Sequence, residues 1–342
     1  MRTGILRRAG PVTSLVVGLL MSVGASAGTL EDVQARGVLH CGTGPGLAGF
    51  SLPSATGEWI GFDVDFCRAI ASAIFGDPKA VKFTPLTSQE RFTALQSGEV
   101  DVLSRNTTWT FSRDVNLGLE FAGVTYYDGQ GFLVRKDLGV ETASDLDGAR
   151  ICIDAGTTTE LNLADYFRTH GLEFSSVVVR GADDARTNYD AEACDSYTTD
   201  ASGLASIRAS LPDPENHIIL KDLISKEPLG LIVRHGDSEW GDVVRWVRNA
   251  VILAEELGIN SGNVEAMGKS SNPEIRRLLG TEGDFGSQLG LEAKWAAQTI
   301  SQVGNYSEIF ERNVGKDTDL ALGRGLNALW NKGGILFAPP MR

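Results

Sequence analysis

From residue 28 onward the chain alternates short apolar runs with longer stretches in which apolar residues recur every three or four positions, the pattern of an α/β fold. Strands are expected at 37–40, 81–84, 100–103, 149–153 and 174–179, and the run Val100-Asp101-Val102-Leu103 reads as a strand buried in a parallel sheet. Phe62, Phe66, Ile70 and Ile74 recur every fourth residue and give one buried face to a helix over 61–74. A second helix is expected at 239–257, burying Trp240, Val243, Val244, Val247, Val251 and Ala254 and ending at Gly258. Extended segments at 121–127, 131–134, 217–220 and 229–233 carry the chain out of one lobe and back, a double hinge. Helical patterns at 273–279, 291–300, 306–314 and 320–330 form a C-terminal extension.

The first 27 residues stand apart from this alternation. Arg2, Arg7 and Arg8 precede an apolar run over 12–23 that ends in Ala25-Ser26-Ala27, a cleavable secretory leader too short to span a bilayer. Removing those three arginines takes the formal charge from −13 to −16, which argues against nucleic acid and anionic membranes as partners. An exported chain with four cysteines, no Cys-x-x-Cys spacing and only four histidines points to disulfides rather than a metal site. Three pairings are possible. Pairing within each local segment, Cys41 with Cys67 and Cys152 with Cys194, is the expectation.

Candidate chemistry gathers where strands end. The stretch 104–113 follows a buried strand and supplies hydroxyls, backbone N–H groups and Arg113, whose guanidinium can grip a small carboxylate with two parallel hydrogen bonds. The loop 42–46 carries glycines, but Pro45 and the missing helix exclude a dinucleotide fingerprint. Asp63 and Asp65 in a first helical turn complement the helix dipole. Thr157 and Glu160 have capping-box spacing after Gly156, and such a helix start attracts anions. Asp200 either caps a helix or receives a cation; the residues weigh these equally. Arg91 alone on a helix reads first as a solvated charge.

The Gly-aromatic-acid-aliphatic-acid start at Gly61-Phe62-Asp63-Val64-Asp65 resembles the polar amino-acid family of periplasmic solute-binding proteins, and the resemblance runs through nearly the whole chain after the leader. It is nearest in character to the general L-amino-acid receptors. The resemblance implies a two-lobe periplasmic binding protein of type II with a double hinge, with lobe one at 28–130, lobe two at 131–230, and 231–342 returning to lobe one and adding the helical extension. It implies that Arg113, Thr108, Thr157 and Thr158 hold a ligand α-carboxylate, that Asp200 and the Asn106 carbonyl receive its ammonium, and that Ser88 and Arg91 face its side chain. The function implied is delivery of free L-amino acids over a broad range, polar or acidic ones favoured, from the periplasm to the permease subunits of an ABC importer. The chain would act as a monomer without cofactor or metal. A dehydratase-like enzyme on the same scaffold and the ligand-binding subunit of a sensor are the alternatives. His40, His170, His217 and His235 are scattered singly, so no nucleophile with a base and an orienting partner assembles from the sequence.

Overall fold

The computed structural model describes Met1, Gly4 and residues 28–342. The expected leader, apart from Met1 and Gly4, lies outside the described residues. Two five-stranded sheets form the cores of two lobes. The first sheet runs in the order Val81–Pro85, Leu39–Thr43, Val102–Thr108, Glu227–Arg234 and Leu119–Asp128. Its first three strands are parallel, and Glu227–Arg234 runs antiparallel to both neighbours. The second sheet runs His217–Ile219, Gln130–Arg135, Ser196–Asp200, Ala149–Asp154 and Phe174–Val179.

The chain crosses between the sheets at Gly129, between the strands Leu119–Asp128 and Gln130–Arg135, and again between Ile219 and Glu227. Two expectations shift accordingly. The segment 131–134 lies inside a strand of the second sheet rather than at the crossing, and the boundary at 230 falls within Glu227–Arg234, a strand of the first sheet. The expected helix at 320–330 is also absent: only short turns form at Gly325–Asn327 and Trp330–Lys332. Gly323 and Gly325 carry the cause, because glycine loses the most backbone freedom in a helix, and Ala321 sits at φ 49°.

Helix Phe62–Phe75 organises lobe one. Gly61, at φ 134°, starts it, and a Cβ there would lie 2.1 Å from the Phe50 carbonyl oxygen, so no larger residue fits. Phe62 packs edge-on to Phe66, Tyr126, Tyr306 and Phe310, and Phe66 lies tilted against Tyr306, joining the helix to strand Leu119–Asp128 and to helix Tyr306–Asn313. The C-terminal extension thus completes the lobe-one core, to which Trp295, Ile300, Leu336 and Met341 also belong. Both disulfides form as expected, Cys41–Cys67 tying this helix to strand Leu39–Thr43 and Cys152–Cys194 closing a segment of lobe two.

The two acids in the first turn separate in role. Asp65 accepts hydrogen bonds from Arg312 Nε (2.8 Å) and Asn313 Nδ2 (2.6 Å), holding the terminal helix in place. Asp63 accepts the backbone N–H of Asn106 at 2.9 Å. Asn106 has φ 23°, a left-handed conformation that asparagine tolerates better than most residues. The dipole reading of these acids is therefore incomplete, because each has a specific tertiary partner.

Burial pushes the Asp63 carboxyl up to about 7, against the opposing pull of the Asn106 hydrogen bond and of Arg105. Between about pH 4 and 7 the unfolded chain ionises this group while the folded chain retains its proton, so folding stability falls as pH rises through that window. Asp63→Asn keeps an acceptor for Asn106 and removes this titration. Its unfolding free energy should fall less steeply between pH 4 and 7 than the wild type's, by on the order of 4 kcal/mol across the window, in denaturant titrations at several pH values. Parallel curves for the two proteins would contradict the assignment.

Candidate functional site

The cavity between the lobes takes its walls from the carboxyl ends of strands in both sheets, where open α/β sheets place ligands. Lobe one contributes Ser88, Arg91, Arg105, Asn106, Thr108 and Arg113. Lobe two contributes Asp154, Thr157, Thr158, Thr159 and Asp200. All eight sequence-predicted residues therefore line one cavity, together with Arg105 and Asp154, which the sequence reading did not select.

Arg113 sits on the short helix Phe111–Asn116, whose start is capped by the Thr110 hydroxyl accepting the Arg113 N–H at 3.3 Å. One Nη1 proton goes to the Thr108 carbonyl at 3.0 Å, and the remaining guanidinium donors have no hydrogen-bond partner among the described residues. Burial lowers its pKa to about 10, with Glu227 and Asp200 opposing, so it stays cationic at neutral pH. Arg91 is buried rather than solvated, 2% exposed. Its Nη1 donates to Thr107 Oγ1 at 3.0 Å, while its buried Nε finds no partner among the described residues. Burial first, then repulsion from Arg105 and Arg113, holds its pKa well below the usual range. Arg91 and Arg113 lie against the same Phe92 ring, at 4.8 and 5.2 Å from its centroid.

Asp200 ends strand Ser196–Asp200 and precedes helix Ala201–Ser210 without capping it. Its carboxylate, 6% exposed, makes no side-chain hydrogen bond among the described residues. Burial, with Asp128 and Glu227 nearby, raises its pKa well above the carboxylate range, while Arg91 and Arg113 oppose this. A buried carboxylate in that setting is stabilised by an approaching cation.

Thr157 caps helix Thr158–His170 by accepting the Glu160 N–H at 3.3 Å. Glu160 reaches Gly156 N–H (3.0 Å) instead of Thr157 N–H, one residue off the expected box. The Thr157 hydroxyl donates to the Asp154 carbonyl at 2.6 Å. Thr108 and Thr158 also have their hydroxyl protons engaged: both donate to Glu227 Oε2, at 2.6 and 3.0 Å. The other Glu227 oxygen accepts from Asn162 Nδ2 (2.7 Å) and from Ser225. Glu227 belongs to the returning strand, and it joins Thr108 of lobe one to Thr158 and Asn162 of lobe two. Of the four residues expected to hold the carboxylate, Arg113 is then the one that faces the cavity with free side-chain donors among the described residues.

A second bridge crosses the cleft. Ser88 Oγ donates to Asp154 Oδ2 at 2.7 Å and accepts from Arg105 Nη2 at 3.0 Å, while Arg105 Nε donates to the Leu86 carbonyl at 2.8 Å. Burial lowers the Arg105 pKa, and Asp154, Asp63 and Asp200 oppose that shift. The lobes are thus closed on one another through Glu227 at one place and through Ser88–Asp154 at another.

A signal for Arg105 existed in the sequence, since a charged residue inside a strand of a buried sheet must have partners. Asp154 carried a similar one, ending a strand just before Gly156. Nothing local marked Glu227, whose importance comes from the three chain segments that meet it.

The family model of bacterial extracellular solute-binding proteins, family 3, matches residues 39–316. The general L-amino acid-binding periplasmic protein of Rhizobium johnstonii is 57% identical over 97% of this chain and 98% of its own length. A glutamate/glutamine/aspartate/asparagine-binding protein of Rhodobacter capsulatus is 55% identical over 96% of this chain and 98% of its own. Among solved structures, a periplasmic binding protein from Brucella ovis with glutathione bound superposes with a TM-score of 0.91 at 58% identity, covering 93% of this chain and all of that one. With a match that spans both lobes and the hinge between them, the chain belongs to the bacterial extracellular solute-binding proteins of family 3.

Proposed function

We propose that the protein is a periplasmic receptor that encloses a free L-amino acid by its α-ammonium and α-carboxylate, accepts a broad range of side chains, and delivers the ligand to the permease subunits of an ABC importer. The observation that carries this is the pair Arg113 and Asp200: a guanidinium and a carboxyl group, both buried, each with bonding capacity left over, one from each lobe and both facing one cavity. A zwitterion brings both complementary charges at once. Enclosing it removes water from four charged groups, and the exchange is favourable only because each acquires a partner.

In this reading Arg113 takes the α-carboxylate, aided by backbone N–H groups at the start of helix Thr158–His170, and Asp200 takes the ammonium with the Asn106 carbonyl. Thr108 and Thr158 act chiefly through Glu227, holding the two lobes in register, and Thr157 shapes the helix start. Ser88 and Arg91 border the ligand side chain. The relatives support breadth: one is named for general L-amino acids and another for four acidic and amide ones. Glutathione, the ligand of the Brucella ovis protein, carries at its γ-glutamyl end the same α-ammonium and α-carboxylate pair as a free amino acid. A dehydratase reading draws less support, since those relatives are named as binding proteins and none of the four histidines lines the cavity.

Thermal unfolding against the twenty amino acids tests the proposal. A ligand at 100 times its dissociation constant adds about 2.7 kcal/mol of stability, so several amino acids should raise the melting temperature and Arg113→Ala should abolish every shift. No shift with any amino acid would overturn the receptor reading. Glu227→Gln, which leaves one acceptor oxygen where the carboxylate has two, should weaken all amino acids alike by about tenfold, the worth of one charge-assisted hydrogen bond. Small-angle scattering should also show its unliganded form more extended than the wild type's. Unchanged scattering and affinity would remove Glu227 from the closure.

A further inference from the structure

A pocket that is strict about side chains leaves polar groups unpaired when the wrong ligand enters, and each orphan costs about 1–3 kcal/mol. Apart from Arg91 Nε, the side-chain end of this cavity is arranged otherwise. Ser88 and Arg105 belong to lobe one, Asp154 to lobe two, and on closure they satisfy one another: Arg105 Nη2 donates to Ser88 Oγ at 3.0 Å, and Ser88 Oγ donates to Asp154 Oδ2 at 2.7 Å. Arg105 Nε is held by the Leu86 carbonyl, and Asp154 Oδ1 accepts the Gly181 N–H at 3.3 Å. A ligand with a methyl side chain therefore leaves this chain intact and orphans none of its members.

Charge follows the same logic. Arg91, Arg105 and Arg113 border the cavity; of the second lobe's acids, Asp154 acts most strongly on Arg91 and Arg105, whereas Glu227 and Asp200 act on Arg113. With Asp154 present, the side-chain end offers cationic donors and an anionic acceptor together. Without it, Arg91 would keep only Asp200 and Arg105 only Asp63 and Asp200 as opposing acids, and an anion at this end would be favoured.

Resting on the receptor reading above, we infer that Asp154 is the residue that makes the receptor broad: it serves as a built-in stand-in for a ligand side-chain carboxylate, so neutral amino acids are accepted and acidic ones compete with it for Ser88 and Arg105. Asp154 is thus a specificity-determining residue of lobe two rather than a contact of the ligand backbone. Removing it narrows specificity toward acidic side chains instead of weakening all ligands.

Calorimetric titration of wild type and Asp154→Ala with L-glutamate and L-alanine separates the outcomes. The ratio of the alanine to the glutamate dissociation constant should rise at least tenfold in the variant, because only glutamate can restore the missing carboxylate. Asp154→Asn, which keeps an acceptor and loses the charge, should move the ratio the same way by about threefold, and it decides the matter alone if the alanine variant does not fold. An unchanged ratio, whether both ligands weaken in parallel or neither changes, overturns the inference and leaves Asp154 as a latch only. Wild type that binds neither ligand would instead overturn the receptor reading itself.

Discussion

Three guanidiniums held out of water around one small cavity are the constraint on which the rest of the structure depends. Desolvation drives each arginine toward losing its proton, and in each case named acids oppose it: Asp154 and Asp200 for Arg91, Asp154, Asp63 and Asp200 for Arg105, Glu227 and Asp200 for Arg113. Those acids come from four separate segments of chain. The fold's task is to bring them to the same place, and the elements can be understood by how they do it. Gly61 admits the Phe50 backbone so that Asp63 arrives beneath Asn106, and strand Ser196–Asp200 delivers Asp200 at its carboxyl end.

The balance is incomplete within either lobe alone. Lobe one holds the arginines with Asp63, while Asp154 and Asp200 lie on the second sheet and Glu227 on the strand returning from it. Closure therefore completes an electrostatic set as well as excluding water, and the hinge is where the two halves of the set meet. Differential affinity for the closed arrangement is the only means by which a ligand can drive that closure. The carboxylate of Glu227 stabilises the same arrangement from within, so part of the closing free energy belongs to the protein and the ligand supplies the remainder. Asp128 beside the first crossing, with its carboxyl raised to about 6 by burial, belongs to this acidic group as well.

Much of this was legible from local pattern. The fourfold spacing of Phe62, Phe66 and Ile70 specified a buried helix face, the strand at 100–103 led to Arg113, and each cysteine pair lay within one supersecondary unit where closure is short. Arg91, read first as a solvated charge, is buried because strand Val102–Thr108 and Phe92 surround it, a tertiary effect that helix position alone does not reveal. Glu227 lay beyond reach for a stronger reason. Its partners Thr108 and Thr158 are distant in sequence, and no period or motif encodes a meeting of three segments. The expected helix at 320–330 failed in the opposite direction: apolar spacing suggested it, but glycine chemistry at 323 and 325 prevailed.

The central claim is that both charges of an amino acid are gripped together across the cleft. Calorimetric titration with one well-bound amino acid, its α-amide and its N-acetyl derivative tests this directly, because each derivative removes one charge and leaves the side chain untouched. Either change should weaken binding by at least a hundredfold, the loss expected when Arg113 or Asp200 is left buried and unpaired. Retention of affinity by either derivative within tenfold would contradict it.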